Sequence, residues 1–126
     1  MKKTKLNEMK KGWFVGQFQP TSFSTDACEV AVKSYRAGDK EQAHYHKIAN
    51  EVTLVLEGSI LMCGEICSSG DIIVLEREEV TAFESLTDSV TVVVKVPGAI
   101  DDKFLVERSR CAAGDGHRGS PVDKDS

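Results

Sequence analysis

Two of the three histidines of this chain, His44 and His46, are separated by a single residue. On a β-strand, positions i and i+2 point to the same face, so both imidazoles can converge on one point. Glu51 lies at an odd spacing from His46, which would put it on the opposite face of a continuing strand. It rejoins the histidines only if the chain turns within Lys47-Ile48-Ala49-Asn50, and Asn50 suits a turn. Two nitrogens and a carboxylate oxygen form a reasonable set for a divalent first-row metal. Fe(II) with open positions, Zn(II), Mn(II) and Ni(II) all qualify. Such an ion would act as a Lewis acid or activate bound water or oxygen. Without a metal, the same imidazoles could act as acid and base with pKa values near neutrality. Thr53 shares a face with Glu51 and is a candidate for lining the same pocket, and Tyr35 is a candidate pocket hydroxyl. Tyr45, between the two histidines, points away from them.

The elements that must hold these groups are strands. From Trp13 to about Val106, short β-like segments alternate with turn signals every 8–12 residues, the pattern of an all-β sandwich or barrel. Glu29 to Arg36 is strand-like and ends at Gly38-Asp39. Val52–Leu56 is an apolar, β-branched run closed by Glu57-Gly58. Cys63-Gly64 is a two-residue hairpin candidate. Further strands follow at Ile72–Leu75, Val80–Leu86 and Val90–Val96, separated by turns at Gly70-Asp71 and Thr87-Asp88, and Pro97-Gly98 stops the last. No segment sustains a helical period. Val52–Leu56 and Val90–Val96 carry apolar residues on both faces, whereas a half-exposed strand would alternate with polar ones. A second sheet and a partner subunit are therefore both expected, which makes a homodimer the expected state.

Composition narrows the function classes. The chain has 126 residues, one domain's worth, and a net charge of -4. Residues 1–11 form a basic arm of charge +4, read as solvated and mobile, and residues 107–126 form a neutral, Gly-rich polar tail expected to be disordered. The body, 12–106, therefore carries -8. An acidic body repels phosphate backbones, so no nucleic-acid partner is expected. There is no membrane-length apolar run and no secretory leader pattern, so a cytoplasmic location is expected. Four cysteines at these spacings lack the second pair of a zinc knuckle and read as reduced thiols in strands and turns. Glu76, Glu78 and Glu79 around Arg77 read as a solvated loop, and His117 falls in the tail, away from the site.

The stretch Gly38–Gly58 reads G-x5-H-x-H-x4-E-x6-G through His44, His46 and Glu51. This resembles the first motif of the cupin superfamily, with every signature residue present. The family's second motif is matched only in part. Gly64 and Gly70-Asp71 fit, Ser68 stands where a proline is usual, and Phe83 follows as expected. The position of the fourth, histidine ligand of many cupins falls on Thr81, the asparagine position on Ser85, and the Pro-Gly turn on Arg77-Glu78. The resemblance spans roughly Glu29 to Val96. It implies a small jelly-roll β-barrel, often dimeric, with a pocket inside. The pocket would be lined by Thr81, Thr53 and Tyr35 and would hold a metal on His44, His46 and Glu51. The superfamily hosts many reactions, so two functions are expected from the pocket. One is a metal-dependent protein acting on a small polar or carbohydrate-like molecule. The other is a non-catalytic, metal-free binding or sensing module.

Overall fold

A computed structural model describes residues 1–106 and the strand Arg118–Val122. Eleven strands make up the described fold. They are β1 Trp13–Val15, β2 Glu29–Tyr35, β3 Lys40–His46, β4 Asn50–Glu57, β5 Ser59–Met62, β6 Glu65–Ser68, β7 Ile72–Leu75, β8 Thr81–Ser85, β9 Ser89–Val96, β10 Lys103–Val106 and β11 Arg118–Val122. They form a five-stranded sheet ordered β1-β2-β9-β4-β7 and a six-stranded sheet ordered β11-β10-β3-β8-β5-β6. Every strand pairing within them is antiparallel. This is the all-β architecture that the strand pattern predicts and the jelly roll that the resemblance implies. No helix among the described residues is long and apolar enough to cross a membrane.

Local chemistry sets the turns. Cys63 and Gly64 take φ of 52° and 78° and close the β5–β6 hairpin at the pair Met62↔Glu65, a turn that needs positive φ at both central residues. Gly58, at φ 82°, cannot be replaced by a larger residue without collision, because a Cβ there would lie 2.2 Å from the Asp88 carbonyl oxygen. The chain leaves the six-stranded sheet after His46 and enters the other sheet at Asn50. In this crossing the Asp102 carboxylate accepts hydrogen bonds from the N–H groups of Lys47, Ile48 and Ala49, at 2.9–3.1 Å.

Between the sheets, Val55, Ile60, Met62, Cys67 and Phe83 form one core cluster, and Trp13, Ala31 and Val93 form another, with Phe18 packed against it. On the other face of β3, Ala43 and Tyr45 pack with Val80 and Val106, and Tyr45 stacks on Phe104 with ring centroids 5.4 Å apart. Cys28, Cys63 and Cys67 are free thiols, as expected, and Cys111 lies outside the described residues.

Two expectations change. The basic N-terminal segment, read as mobile, forms two short 3-10 turns tied to the body. The Thr4 and Ser22 hydroxyls are 2.6 Å apart, Lys2 Nζ donates to the Ser22 carbonyl, and Gly12 lies directly on the Val32 backbone. At the other end, Arg118–Val122 pairs with β10, while the rest of the tail, including His117, lies outside the described residues. The apolar strands meet a second sheet on one side, as expected. The second sheet covers the face of β4 that holds Glu51, Thr53 and Val55, and the Val52, Leu54, Leu56 face points outward.

Candidate functional site

The six residues singled out in the sequence, Tyr35, His44, His46, Glu51, Thr53 and Thr81, all line one cavity between the sheets. Its volume is about 60 Å³. That is room for on the order of four water-sized spheres, a small ligand's worth.

β3 supplies the histidines. A bulge between Glu41 and His44 shifts the β3–β8 register, so that Glu41 reaches the cavity together with His44 and His46 although its number differs from theirs in parity. The imidazole rings stand nearly perpendicular, at 87°, with centroids 5.3 Å apart. His44 Nδ1 lies 2.9 Å from the Gln42 carbonyl oxygen. A carbonyl can only accept, so Nδ1 carries the proton and Nε2 keeps its lone pair. Burial, then the Lys103 ammonium, pushes the His44 pKa down to about 3, against the opposing pull of the Gln42 carbonyl; Lys95 adds to the depression. His44 is therefore neutral near pH 7, which corrects the expectation of two histidines poised near neutrality.

The crossing capped by Asp102 turns Glu51 back toward the histidines from the opposite sheet, as the spacing required. Asn50 assists at this point: its side-chain oxygen accepts the Arg77 N–H at 2.9 Å. In the same loop Glu78 sits at φ 75°, the left-handed value that a glycine would otherwise serve, and its N–H bonds the His46 carbonyl at 2.6 Å. Tyr35 OH lies 3.5 Å from Glu41 Oε2, and burial, followed by the Glu41 and Glu51 carboxylates, pushes its pKa up, so it stays a neutral hydroxyl. Thr81 is the cross-strand partner of His44, but its hydroxyl donates to Met62 Sδ at 3.0 Å. Ser85, at the asparagine position, bonds the Thr87 carbonyl and the Ser89 hydroxyl, both at 2.6 Å, and serves the turn.

Sequence reasoning missed Lys95. Its Nζ lies 3.0 Å from His46 Nε2 and 5.0 Å from the centre of the Trp13 ring. Lys33 Nζ is 5.6 Å from the same ring. In β9, Lys95 is paired with Glu29 of β2 on one side and Glu51 of β4 on the other, and all three are buried. A signal was present in the sequence. The odd positions of Val90–Val96 are Thr91, Val93 and Lys95, a polar pattern opposite an all-valine face.

The metal that the first motif implies would need donors that this pocket does not assemble. Thr81 offers no imidazole and its hydroxyl is turned to sulfur. The nitrogen of His46 that would face an ion is in contact with the Lys95 amine. Among the described residues no three His, Cys, Asp or Glu side chains gather into a group that could hold a metal ion. In this arrangement the side chains do not fit a metal centre.

No family model matches the chain, and no curated relative matches it either. Solved structures do. An uncharacterized protein with a double-stranded β-helix domain from Klebsiella pneumoniae is 21% identical, with a TM-score of 0.61 over 67% of this chain and 74% of the other. The bacterial pirin YhhW from Escherichia coli, in complex with nickel(II), is 13% identical, with a TM-score of 0.58 over 70% of this chain and 39% of its own. An oxalate oxidase in complex with the substrate analogue glycolate is 19% identical, with a TM-score of 0.52 over 57% of this chain and 44% of the other. Identities this low speak to fold alone. Two facing antiparallel sheets, a pocket between them and these neighbours give one conclusion: the chain has the double-stranded β-helix fold.

Proposed function

We propose that this chain is a small-molecule-binding cupin whose pocket takes a small carboxylate-bearing ligand and works without a resident metal. The observation that carries the reading is the Lys95 amine held against His46 inside the cavity. Lys33 adds a second ammonium beside Trp13, and Lys103 a third at the cavity wall. A ligand carboxylate would accept charge-assisted hydrogen bonds there. The Thr91 hydroxyl lines the cavity, is buried, and has no hydrogen-bond partner among the described residues, so it is available to a ligand. The cavity suits a carboxylate head of a few heavy atoms better than a whole sugar ring. Glycolate in the oxalate oxidase neighbour is a ligand of that kind.

The competing reading keeps Fe, Zn, Mn or Ni on His44, His46 and Glu51. In its favour are the Nδ1–H bond of His44, which leaves Nε2 as a donor, and the nickel(II) of the pirin neighbour. Calorimetric titration of the chain with acetate, malonate, neutral polyols and divalent metals separates the two. The proposed reading expects saturable carboxylate binding that weakens with salt, and no stoichiometric metal. Tight metal uptake with no carboxylate binding would overturn it.

A second copy of the chain belongs to the same reading, seated on the outer face of the five-stranded sheet. Two registered rows cross that face, Val30–Val94–Val52–Val74 and Val32–Val92–Leu54–Ile72. From strand spacing and rise the patch covers on the order of 250 Å², about a third of one partner's share in a standard interface before flanking loops are added. Sedimentation at micromolar concentration should give a dimer.

A further inference from the structure

The inner face of β9 poses a question that ligand binding alone does not answer. Burying a lysine is unfavourable unless its charge is matched and hydrogen-bonded. Here the match is built into the strand order. β9 lies between β2 and β4, and their registers bring Glu29 and Glu51 to either side of Lys95 on one inward face. From that ladder the lysine side chain reaches across the barrel to His46 Nε2. It thus links the sheet that carries Glu51 to His46 on the other sheet. Thr81 beside His44 turns its hydroxyl away to Met62.

We propose that Lys95 is a built-in cation that occupies the point where His44, His46 and Glu51 would otherwise meet on a divalent metal, so that this one residue decides between an organic ligand and a metal. The inference rests on the reading of the pocket as metal-independent, and it adds the determinant. Charge explains the substitution. A fixed ammonium gives Glu29, Glu51 and the lone pair of His46 a positive partner, which a divalent ion would otherwise supply. Removing the amine leaves the buried Glu51 carboxylate and two imidazoles lining one cavity, a donor set that attracts Zn(II) or Co(II). Glu51 needs only to swing into the vacated volume.

The test compares wild type with Lys95→Ala, titrated with Zn(II) by calorimetry and with Co(II) by its visible absorption. Wild type should take up no stoichiometric metal. Lys95→Ala should bind one Zn(II) per chain, tighter than wild type by on the order of a hundredfold. It should show the intense cobalt bands of a low-coordinate site and lose both on adding His46→Ala. If Lys95→Ala fails to fold, Lys95→Ala with Glu29→Gln removes the surplus charge and carries the same expectation. A third measurement uses wild type alone: Zn(II) should leave the His44 and His46 imidazole nitrogen resonances unmoved. Resonances that shift in wild type, or a folded Lys95→Ala that acquires no metal, overturn the inference. Metal gained by the variant while wild type ignores acetate and malonate would keep the inference and remove the carboxylate reading. Carboxylate binding without that gain would do the reverse.

Discussion

Along β9 the inward residues are Ser89, Thr91, Val93 and Lys95, all buried, while the outward ones are Val90, Val92, Val94 and Val96. The same inversion runs through β4, where Glu51, Thr53 and Val55 face in and Val52, Leu54 and Leu56 face out. A sheet packed on one core ordinarily shows the opposite, with apolar residues inside and polar ones in water. Buried polar groups must recover their lost hydration from specific partners, so the inner face is a demanding arrangement kept for what it binds. An apolar face left toward solvent marks contact with something else. Ile72 and Val74 on the outer face are 65% and 58% exposed, too open for residues of a finished core. On the proposed reading the two sides of one sheet divide the work, ligand inside and partner outside.

The comparison breaks most sharply at Lys95. Lys95→Met keeps the volume but strands the buried Glu29 and Glu51 carboxylates, so chemical denaturation should show a loss of about 3–5 kcal/mol. Adding Glu29→Gln should recover part of it. A loss below about 1 kcal/mol would mean that the inner face is not the charge-matched ladder its register describes.

Asp102 comes next, at the seam between the sheets. It is 5% exposed and accepts hydrogen bonds from three successive amides, which lose their acceptor together in Asp102→Ala. The expected cost is about 2–3 kcal/mol by denaturation. Carboxylate affinity should fall with it, because the crossing carries Glu51 toward the histidines. Unchanged affinity in a destabilised variant would separate the seam from the site.

How far the sequence disclosed all this depends on how local each feature is. His44, His46 and Glu51 were legible because strand parity and one turn relate them within eight residues. Cys63-Gly64 was legible because a two-residue hairpin demands positive φ. Lys95 was not. Its burial depends on β9 settling between β2 and β4, a non-local fact that the polar pattern opposite the valines does not reveal. Asp102 escaped for the same reason, since it caps a turn more than fifty residues upstream. The parity break that brings Glu41 to the histidines' side is a bulge, set by pairing with β8 and invisible along β3 alone. The pattern did predict that a second sheet would cover one of the two faces of these strands. It did not show which of the two the second sheet would take.

Acid should test the inner face without any mutation. The pKa of His44 falls from 6.5 in the unfolded chain to about 3 in the fold. Between those values the unfolded state binds the extra proton, so stability is full above pH 6.5 and declines as pH falls toward 3. The His44 contribution to that decline should be about 2 kcal/mol between pH 7 and pH 5, read as the difference between wild type and His44→Gln in urea melts at each pH. Parallel profiles for the two proteins would refute a neutral, desolvated His44.

The smallest effect on the fold belongs to the outer face, and there the contrast between the two sides is clearest. Val92 lies one residue from Thr91 and three from Lys95 in the same strand, yet points the other way, at the centre of the row Val32–Val92–Leu54–Ile72. Val92→Lys places a charge on that face. In the isolated protomer its long stem can lie along the neighbouring side chains while the ammonium stays in water, so unfolding measured at low protein concentration should change by less than about 1 kcal/mol. Two copies meeting through this face would bring the new charges together near their symmetry axis, in a desolvated interface. Sedimentation should then find the variant monomeric where wild type is dimeric, with carboxylate binding intact. A variant that stays dimeric would move the partner off this face, and one that loses the ligand would mean that the two sides of the sheet are not independent.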